Sequence, residues 1–419
     1  MSSCTLTNTG KKYVQQLVGQ CFECFSDSSH AICIHCINRC HKNHNVTNVR
    51  VANAFCDCPS KCNCLCYTKT NELTRLSDSK LSNLFLDLGL NILGLSSKIT
   101  ISPYSIFTCL SLVQFGCKGK TLDEFKNIMH YEKSEILPNI SKLNMTINEH
   151  SCCKTCNFIF SQTPLKKSYT SQIKNLATIS DGIDIDKINN IVDEITNHLI
   201  PHAISEDMIN ENSVVILMNV IYFKCNWLQQ FDKKYTKTGK FNSIRDGEFM
   251  NQYGSQFMYT EDYQNQVLEM TYNDMDFHFG IILPKHEGLP KVNSEIITNY
   301  INQLQLQEIG TLKIPKFKYK VKFSLKTILQ NLGLKTMFDK NKADLSDMTE
   351  IERVYVSNVF HELVIIVDEE GTEASSITSC VCDSFGLDDR RHTIDFIADH
   401  SFTYYIRYND VILFMGNFV

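Results

Sequence analysis

Eleven of the nineteen cysteines lie in the first 70 residues, and most stand two to four positions from another. Cys21-x-x-Cys24 and Cys33-x-x-Cys36 have the spacing at which two thiolates reach one tetrahedral ion at about 2.3 Å. Cys40-His41-x-x-His44 adds imidazoles, and Cys56-Asp57-Cys58 precedes Cys62, Cys64 and Cys66. These ligands exceed what one zinc ion uses, so the chemistry they point to is structural metal binding. An odd number of cysteines, interleaved histidines and the lack of an apolar leader disfavour a disulfide knot. So short a segment, poor in large apolar side chains, needs the about 10–16 kcal/mol that structural zinc supplies to folding.

A second pattern lies near the other end, in TEASSITSCVCDSFGLDDRRHT (372–393). Thr372, Ala374, Ser376, Thr378, Cys380 and Cys382 are all small and uncharged, whereas Glu373, Ile377, Val381 and Asp383 hold the other parity. A strand sends successive side chains to opposite faces, so this segment could enter a sheet with only small groups facing inward. Gly371 supplies a hinge and no proline interrupts the run.

The elements that position these residues divide the chain near residues 67–72. We expect a zinc-stabilised module over 1–70 and one large domain over 71–419. Residues 1–70 carry seven Lys/Arg against three Asp/Glu, and the whole chain has a net charge of −5. There is no polybasic field for nucleic acid. VVILMNVIYF (214–223) is broken by Asn219 and falls short of the about 18 apolar residues of a membrane span. The opening MSSCTLTNTGKKYVQQLVGQ has no signal-peptide core, so an intracellular setting, cytoplasm or nucleus, is expected. Helical periodicity in SKLSNLFLDLGLNIL and apolar bursts such as YVSNVFHELVIIVD predict an α+β domain, with helices early and large, mostly antiparallel sheets late.

The order CTLTNTGKKYVQQ, CFEC, CIHCINRCHKNH and FCDC with a cysteine-rich tail resembles the UBR box, the zinc module of N-recognins. The resemblance implies one zinc ion on Cys21, Cys24, His41 and His44. It implies a two-zinc cluster on Cys4, Cys33, Cys36, Cys56 and Cys58, completed from Cys62, Cys64 and Cys66, and so three structural ions. Cys40 is left outside that set. Asp27, Ser29, Phe55 and Asp57 match positions that receive a peptide's α-amino group and first side chain. Ser60 replaces a further acidic position, which weighs against strong binding of an Arg or Lys N-terminus.

The landmarks ISPYSIFTCLSLVQFGCKGKTLDEF (101–125), ILMNVIYFKCNW (216–227), VYVSNVFHELVIIVDEEGTEA (354–374) and FIADHSFTYYIRYNDVILFMGNF (396–418) resemble serpins. The helix usually marked by a tryptophan reads INNIV (188–192) here, and SCCKTCNFIF (151–160) is peculiar to this chain. CKTC there reads as buried thiols before a metal or redox pair. The resemblance implies a serpin fold with a reactive-centre loop over about 371–395 and a hinge of Gly371, Thr372, Glu373, Ala374, Ser375 and Ser376. It implies a polar shutter of Ser102, Ser105, Asn219 and His361. A catalytic Ser–His pair is not expected, because neither serine sits in a nucleophile-elbow sequence.

The implied function is protease inhibition by loop cleavage and insertion, in a monomer that is not itself an enzyme. Counting forward from the hinge places the scissile bond at Phe385–Gly386, which suits a chymotrypsin-like serine protease. Counting back from FIADHSF gives Arg390–Arg391 as second choice, and cysteine proteases fall within the same loop chemistry. The alternatives are a non-inhibitory scaffold and an adaptor that binds N-degrons through the zinc module.

Overall fold

The structure, a computed structural model, describes residues 14–24, 30–42, 44–54, 56–58, 72–95, 98–131, 133–181, 184–196, 198–206, 214–371 and 393–419. The chain forms two compact units, Met1–Ser79 and Lys80–Val419.

In the first unit β1 (Val14–Cys21) is the middle strand of a three-stranded antiparallel sheet. It lies between β2 (Ile32–Cys33) and β3 (Val46–Ala54). Helix α1 (Ile34–Cys40) follows β2 directly. The buried residues that cluster here are Cys21, Ile32, Cys33, Cys36, Cys56 and Cys58. A core of five thiols and one isoleucine holds too little apolar surface to fold by burial alone, at about 25 cal/mol per Å².

The helices of the second unit are α2 (Glu72–Leu95, which begins within the first), α3 (Pro103–Gly116), α4 (Gly119–Met129), α5 (Lys133–Glu149), α6 (Lys167–Ile173), α7 (Ile185–Ile195), α8 (Ser294–Gln303) and α9 (Lys326–Leu332). Its strands are β4 (Thr100–Ile101), β5 (Cys153–Ser161), β6 (Thr178–Asp181), β7 (Val215–Phe223), β8 (Lys237–Phe241), β9 (Arg245–Glu261), β10 (Asn265–Thr271), β11 (Phe277–Pro284), β12 (Gln305–Pro315), β13 (Phe317–Ser324), β14 (Val356–Val367), β15 (Ile394–Ile397), β16 (Phe402–Tyr408) and β17 (Val411–Phe418). They form a nine-stranded sheet and a five-stranded sheet of order β13-β14-β7-β5-β6. The pairs β14/β7, β5/β6 and β12/β15 are parallel and the rest antiparallel, so the expected α+β architecture is observed. None of the described helices is long and apolar enough to cross a membrane.

Local sequence explains the five-stranded sheet. Every residue of β7 is buried, which is why VILMNVIYF reads as a continuous apolar run and not as an alternation. On the inner face Leu217, Ile221, Val359 and Leu363 join the main core. Met218, Val220, Phe360 and Val364 of the outer face pack with Ile188 and Val192 of α7. The edge strand β13 exposes Lys318, Lys320 and Lys322, a row of charge that discourages pairing with another chain. Cys153 belongs to the inner core and Cys156 packs with the outer one, so CKTC cannot close on one ion or one disulfide. Burial pushes the Cys156 thiol up to about 11, as expected of an inert side chain.

Candidate functional site

Helix α3 begins at a Ser-Pro step, with Pro103 in its first turn and Ser102 as N-cap. The Ser102 hydroxyl accepts from the Ser105 amide at 3.2 Å, and the Ser102 amide donates to His361 Nε2 at 3.1 Å. Nε2 being an acceptor, the ring proton is on Nδ1, which donates to Asn219 Oδ1 at 2.9 Å. Ser105 Oγ donates to the same oxygen at 2.5 Å. Ser102, Ser105, Asn219 and His361 are all wholly buried. Burial lowers the His361 pKa to about 3, so the ring stays neutral.

Ser102, Ser105, Asn219 and His361 therefore meet as one network, which lies across two strands. His361 and Asn219 are register partners across β14 and β7, the two parallel strands at the middle of the sheet. Separating those strands breaks this bond. The resemblance did not supply a fifth member: Asn219 Nδ2 donates to Asn157 of β5 at 2.7 Å, and Asn157 donates to the Leu176 carbonyl at 3.1 Å.

Above the network β14 runs into a turn, Asp368–Gly371, closed by an antiparallel bridge between those two residues. Gly371 has φ +105°, and a Cβ there would stand 2.4 Å from the Cys225 carbonyl oxygen and 2.5 Å from the Trp227 nitrogen. Only glycine fits. Trp227 donates its amide to Glu370 O at 3.0 Å and its indole Nε1 to Asp368 O at 2.8 Å. Phe231 N donates to Glu369 O, while the Glu369 carboxylate takes Thr236 Oγ1 at 2.6 Å and Lys316 Nζ at 3.1 Å. Trp227, Thr236, Lys316 and Glu369 went unread in the sequence. Spacing carries no sign of contacts between segments 50 to 140 residues apart.

Of the hinge, Gly371 is described. Thr372, Glu373, Ala374, Ser375, Ser376, Phe385, Gly386, Arg390 and Arg391 lie outside the described residues. So do Cys4, Cys62, Cys64, Cys66, Asp27, Ser29 and Phe55.

In the first unit β1 ends at Cys21 and a turn brings Cys24 back, its amide donating to Cys21 O. His41 caps α1 and His44 follows in a tight turn. The four ligand atoms converge: Cys21 Sγ lies 3.4 Å and Cys24 Sγ 3.2 Å from His44 Nδ1, Cys24 Sγ lies 3.5 Å from His41 Nδ1, and the two Nδ1 atoms are 3.3 Å apart. Ligands of one tetrahedral zinc stand about 3.3–3.8 Å apart, given bonds of about 2.0 Å to nitrogen and about 2.3 Å to sulfur. The set fits zinc. Two further groups, Cys33–Cys36–Cys56 and Cys36–Cys40–Cys58, share Cys36, as a bridging thiolate of a two-metal cluster would be shared. Cys40, outside the set that the resemblance implies, thus lies within reach of an ion held by Cys36 and Cys58. Its signal was the four-residue spacing from Cys36, which puts both on one helical face. His41 Nε2 lies 3.4 Å from Cys58 Sγ, an outer hydrogen bond that orients the ring and couples the two sites. Asp57 accepts the Ala31 amide on Oδ2 at 2.9 Å, so this carboxylate helps to fix the fold.

Residues 90–419 match the family described as Serpin (serine protease inhibitor), and residues 1–65 match the UBR box. An uncharacterised serpin-like protein of Acanthamoeba polyphaga mimivirus is 30% identical over 367 residues, covering 82% of this chain and 88% of its own length. The leukocyte elastase inhibitor of Bos taurus is 29% identical over 353 residues, 77% of this chain and 92% of that protein. Among solved structures, maspin matches with a TM-score of 0.72 at 23% identity, over 82% of this chain and 99% of maspin. The thermophilic serpin tengpin in its native state also gives 0.72, at 21% identity, over 84% and 95%. The chain belongs to the serpin family and carries a UBR box at its N-terminus.

Proposed function

We propose that this chain inhibits a chymotrypsin-like serine protease by offering Phe385–Gly386 for cleavage and inserting the segment from Thr372 between β7 and β14. The observation that carries this reading is the Asp368–Gly371 bridge. Extending its antiparallel register sets Thr372 opposite Val367, Ala374 opposite Ile365, Ser376 opposite Leu363 and Thr378 opposite His361. Val367, Ile365, Leu363 and His361 are buried, the first three within the main core. Every small residue of the alternating series thus falls on the inward face, and Glu373 and Asp383 fall on the other. A loop that never enters the sheet has no need of that agreement. The Thr378 hydroxyl would arrive beside His361 and Asn219, ready to replace the bond that strand separation breaks.

The reaction begins as acyl transfer: the protease serine attacks the Phe385 carbonyl and expels the amine of Gly386. Strand insertion then moves the acyl-enzyme away before water can release it, driven by energy held in the uninserted sheet. Incubation with chymotrypsin should give an SDS-stable complex, with Gly386 as the new N-terminus of the released peptide. Clean turnover with no trapped complex would make the chain a non-inhibitory scaffold.

The N-terminal unit, in this reading, holds three zinc ions and presents a surface to protein N-termini, in a monomer that works inside the cell. The tetrahedral spacing of Cys21, Cys24, His41 and His44 and the shared Cys36 support the metal part. The match to the UBR box supports the peptide part. Peptides differing only in a free Arg, free Ala or acetylated first residue test it; equal binding of all three would remove it.

A further inference from the structure

Next to His361 on β14 stands Glu362, whose side chain points to the opposite face of the sheet. It is 1% exposed, and its Oε2 has no hydrogen-bond partner among the described residues. Its register partners are Val220 of β7 and Lys322 of β13. Phe360 and Val364 flank it on its own strand, and this face packs on Ile188 and Val192 of α7.

The charges that act on it among the described residues are those of Lys322 and Lys320, both on β13. Neither ammonium is spent on it: Lys320 Nζ donates to Leu199 O at 3.0 Å and Lys322 Nζ to His202 O at 3.4 Å. On β7 the titratable side chain of this face is the Tyr222 phenol. α7 turns no charged residue inward at Ile188 and Val192, and His202 is itself exposed. Burial pushes the Glu362 carboxyl up to about 7, against the pull of Lys322 and Lys320. An ionised carboxylate with one oxygen buried and unpartnered is costly to the closed sheet.

We propose that Glu362 is a pH-sensitive positioning residue for sheet opening: protonated, it leaves β14 paired with β7, and ionised, it weakens that pairing and speeds admission of the loop strand. The proposal rests on the insertion mechanism above and adds to it a dependence on pH. Insertion would be held back in a mildly acidic compartment and released near or above neutrality. The register that sets Thr378 opposite His361 sets Ile377 opposite Glu362. Relief therefore comes from the parting of the strands, not from a polar partner on the incoming one.

The sign and size follow from linkage. If the opened sheet returns Glu362 to an ordinary carboxyl with a pKa of 4.5, raising the pH from about 6 to about 8 favours opening by up to about tenfold. The test uses the intact full-length protein and Glu362→Gln, which keeps the shape and removes the titration. A synthetic peptide of the sequence TEASSITSCVCD (372–383) is offered to both under reducing conditions, and its incorporation is followed on native gels. Thermal unfolding midpoints are recorded across the same pH range. We expect the wild-type rate to rise with pH by up to about tenfold more than that of E362Q, and the midpoint gap in favour of E362Q to widen as pH rises. Incorporation with the same pH profile in both proteins, or parallel midpoint curves, would overturn the role of Glu362. No incorporation by either protein at any pH would overturn the insertion mechanism itself, and the gate with it.

Discussion

Residues 14–58 and residues 80–419 solve the problem of buried polar atoms in different ways. In the first, the buried atoms are mostly thiol sulfurs, and they gather where tetrahedral ions would bind them. In the second, a large core of aliphatic and aromatic side chains surrounds the network of Ser102, Ser105, Asn219 and His361, whose members satisfy one another, with His361 bonded on both ring nitrogens. On the proposed reading the first unit would have one stable arrangement, because its ligands and ions must be present together, and the second would have two, because its polar groups would exchange partners when a further strand enters.

Stripping the metal breaks the comparison most forcefully. A strong chelator removes a folding contribution of about 10 kcal/mol or more from the N-terminal unit. Limited proteolysis should then cut faster within residues 14–58, while the rate of cutting within residues 80–419, the 372–392 segment included, stays the same. Equal protection with and without chelator would show that the module folds without zinc.

Cys40→Ser sharpens the same side. If Cys40 completes a site with Cys36 and Cys58, native mass spectrometry should find one zinc fewer than in wild type, with the Cys21–Cys24–His41–His44 ion retained. Unchanged zinc content would return Cys40 to the role of a bystander.

On the other side, His361→Ala leaves the Ser102 amide without its acceptor, while Asn219 Oδ1 keeps Ser105 Oγ. A buried group left unpaired costs about 1–3 kcal/mol, so chemical denaturation should show a loss of at least about 1–3 kcal/mol. A loss below about 0.5 kcal/mol would mean that the seam contributes nothing to the closed sheet.

The finest distinction is the dependence on pH. His361 is lowered from 6.5 to about 3, so its stabilisation is full above 6.5 and fades as pH falls toward 3. Glu362 is raised from 4.5 to about 7, so it costs stability increasingly from pH 4.5 up to about 7. Between 4.5 and 6.5 folded and unfolded chains hold the same number of protons on this pair, one on Glu362 when folded and one on His361 when unfolded. Its contribution to stability should be flat there and fall on both sides. Subtracting the His361→Ala, Glu362→Gln double variant from wild type in pH-dependent denaturation isolates that plateau; a steady slope across it would contradict the assignment.

Much of this was legible in the chain itself. Asn219 stood out as a polar break in an apolar strand, and the knuckle spacings announced the clusters of thiols and imidazoles. The small-residue parity of 372–382 was legible as well, but those residues lie outside the described ones, and their fit to an inward face belongs to the proposal. What stayed hidden depended on the fold. Trp227, Lys316 and Glu369 acquire meaning when β14 ends beside the segment after β7, and Asn157 when β5 lies against β7. Glu362 looks like any strand carboxylate until α7 and its neighbours cover it. The closeness of Cys40 to Cys36 was readable from helical spacing, although the resemblance implies a ligand set without it.

Inhibition by insertion requires that the closed five-stranded sheet accept a further strand. Nicking the loop between residues 384 and 392 with a protease that forms no complex, then comparing thermal unfolding before and after, tests this most directly. The account expects the nicked protein to unfold at a temperature higher by ten degrees or more, on the order of several kcal/mol for a domain of this size. An unchanged or lower midpoint would mean that the cut loop stays outside the sheet, and would contradict inhibition by insertion.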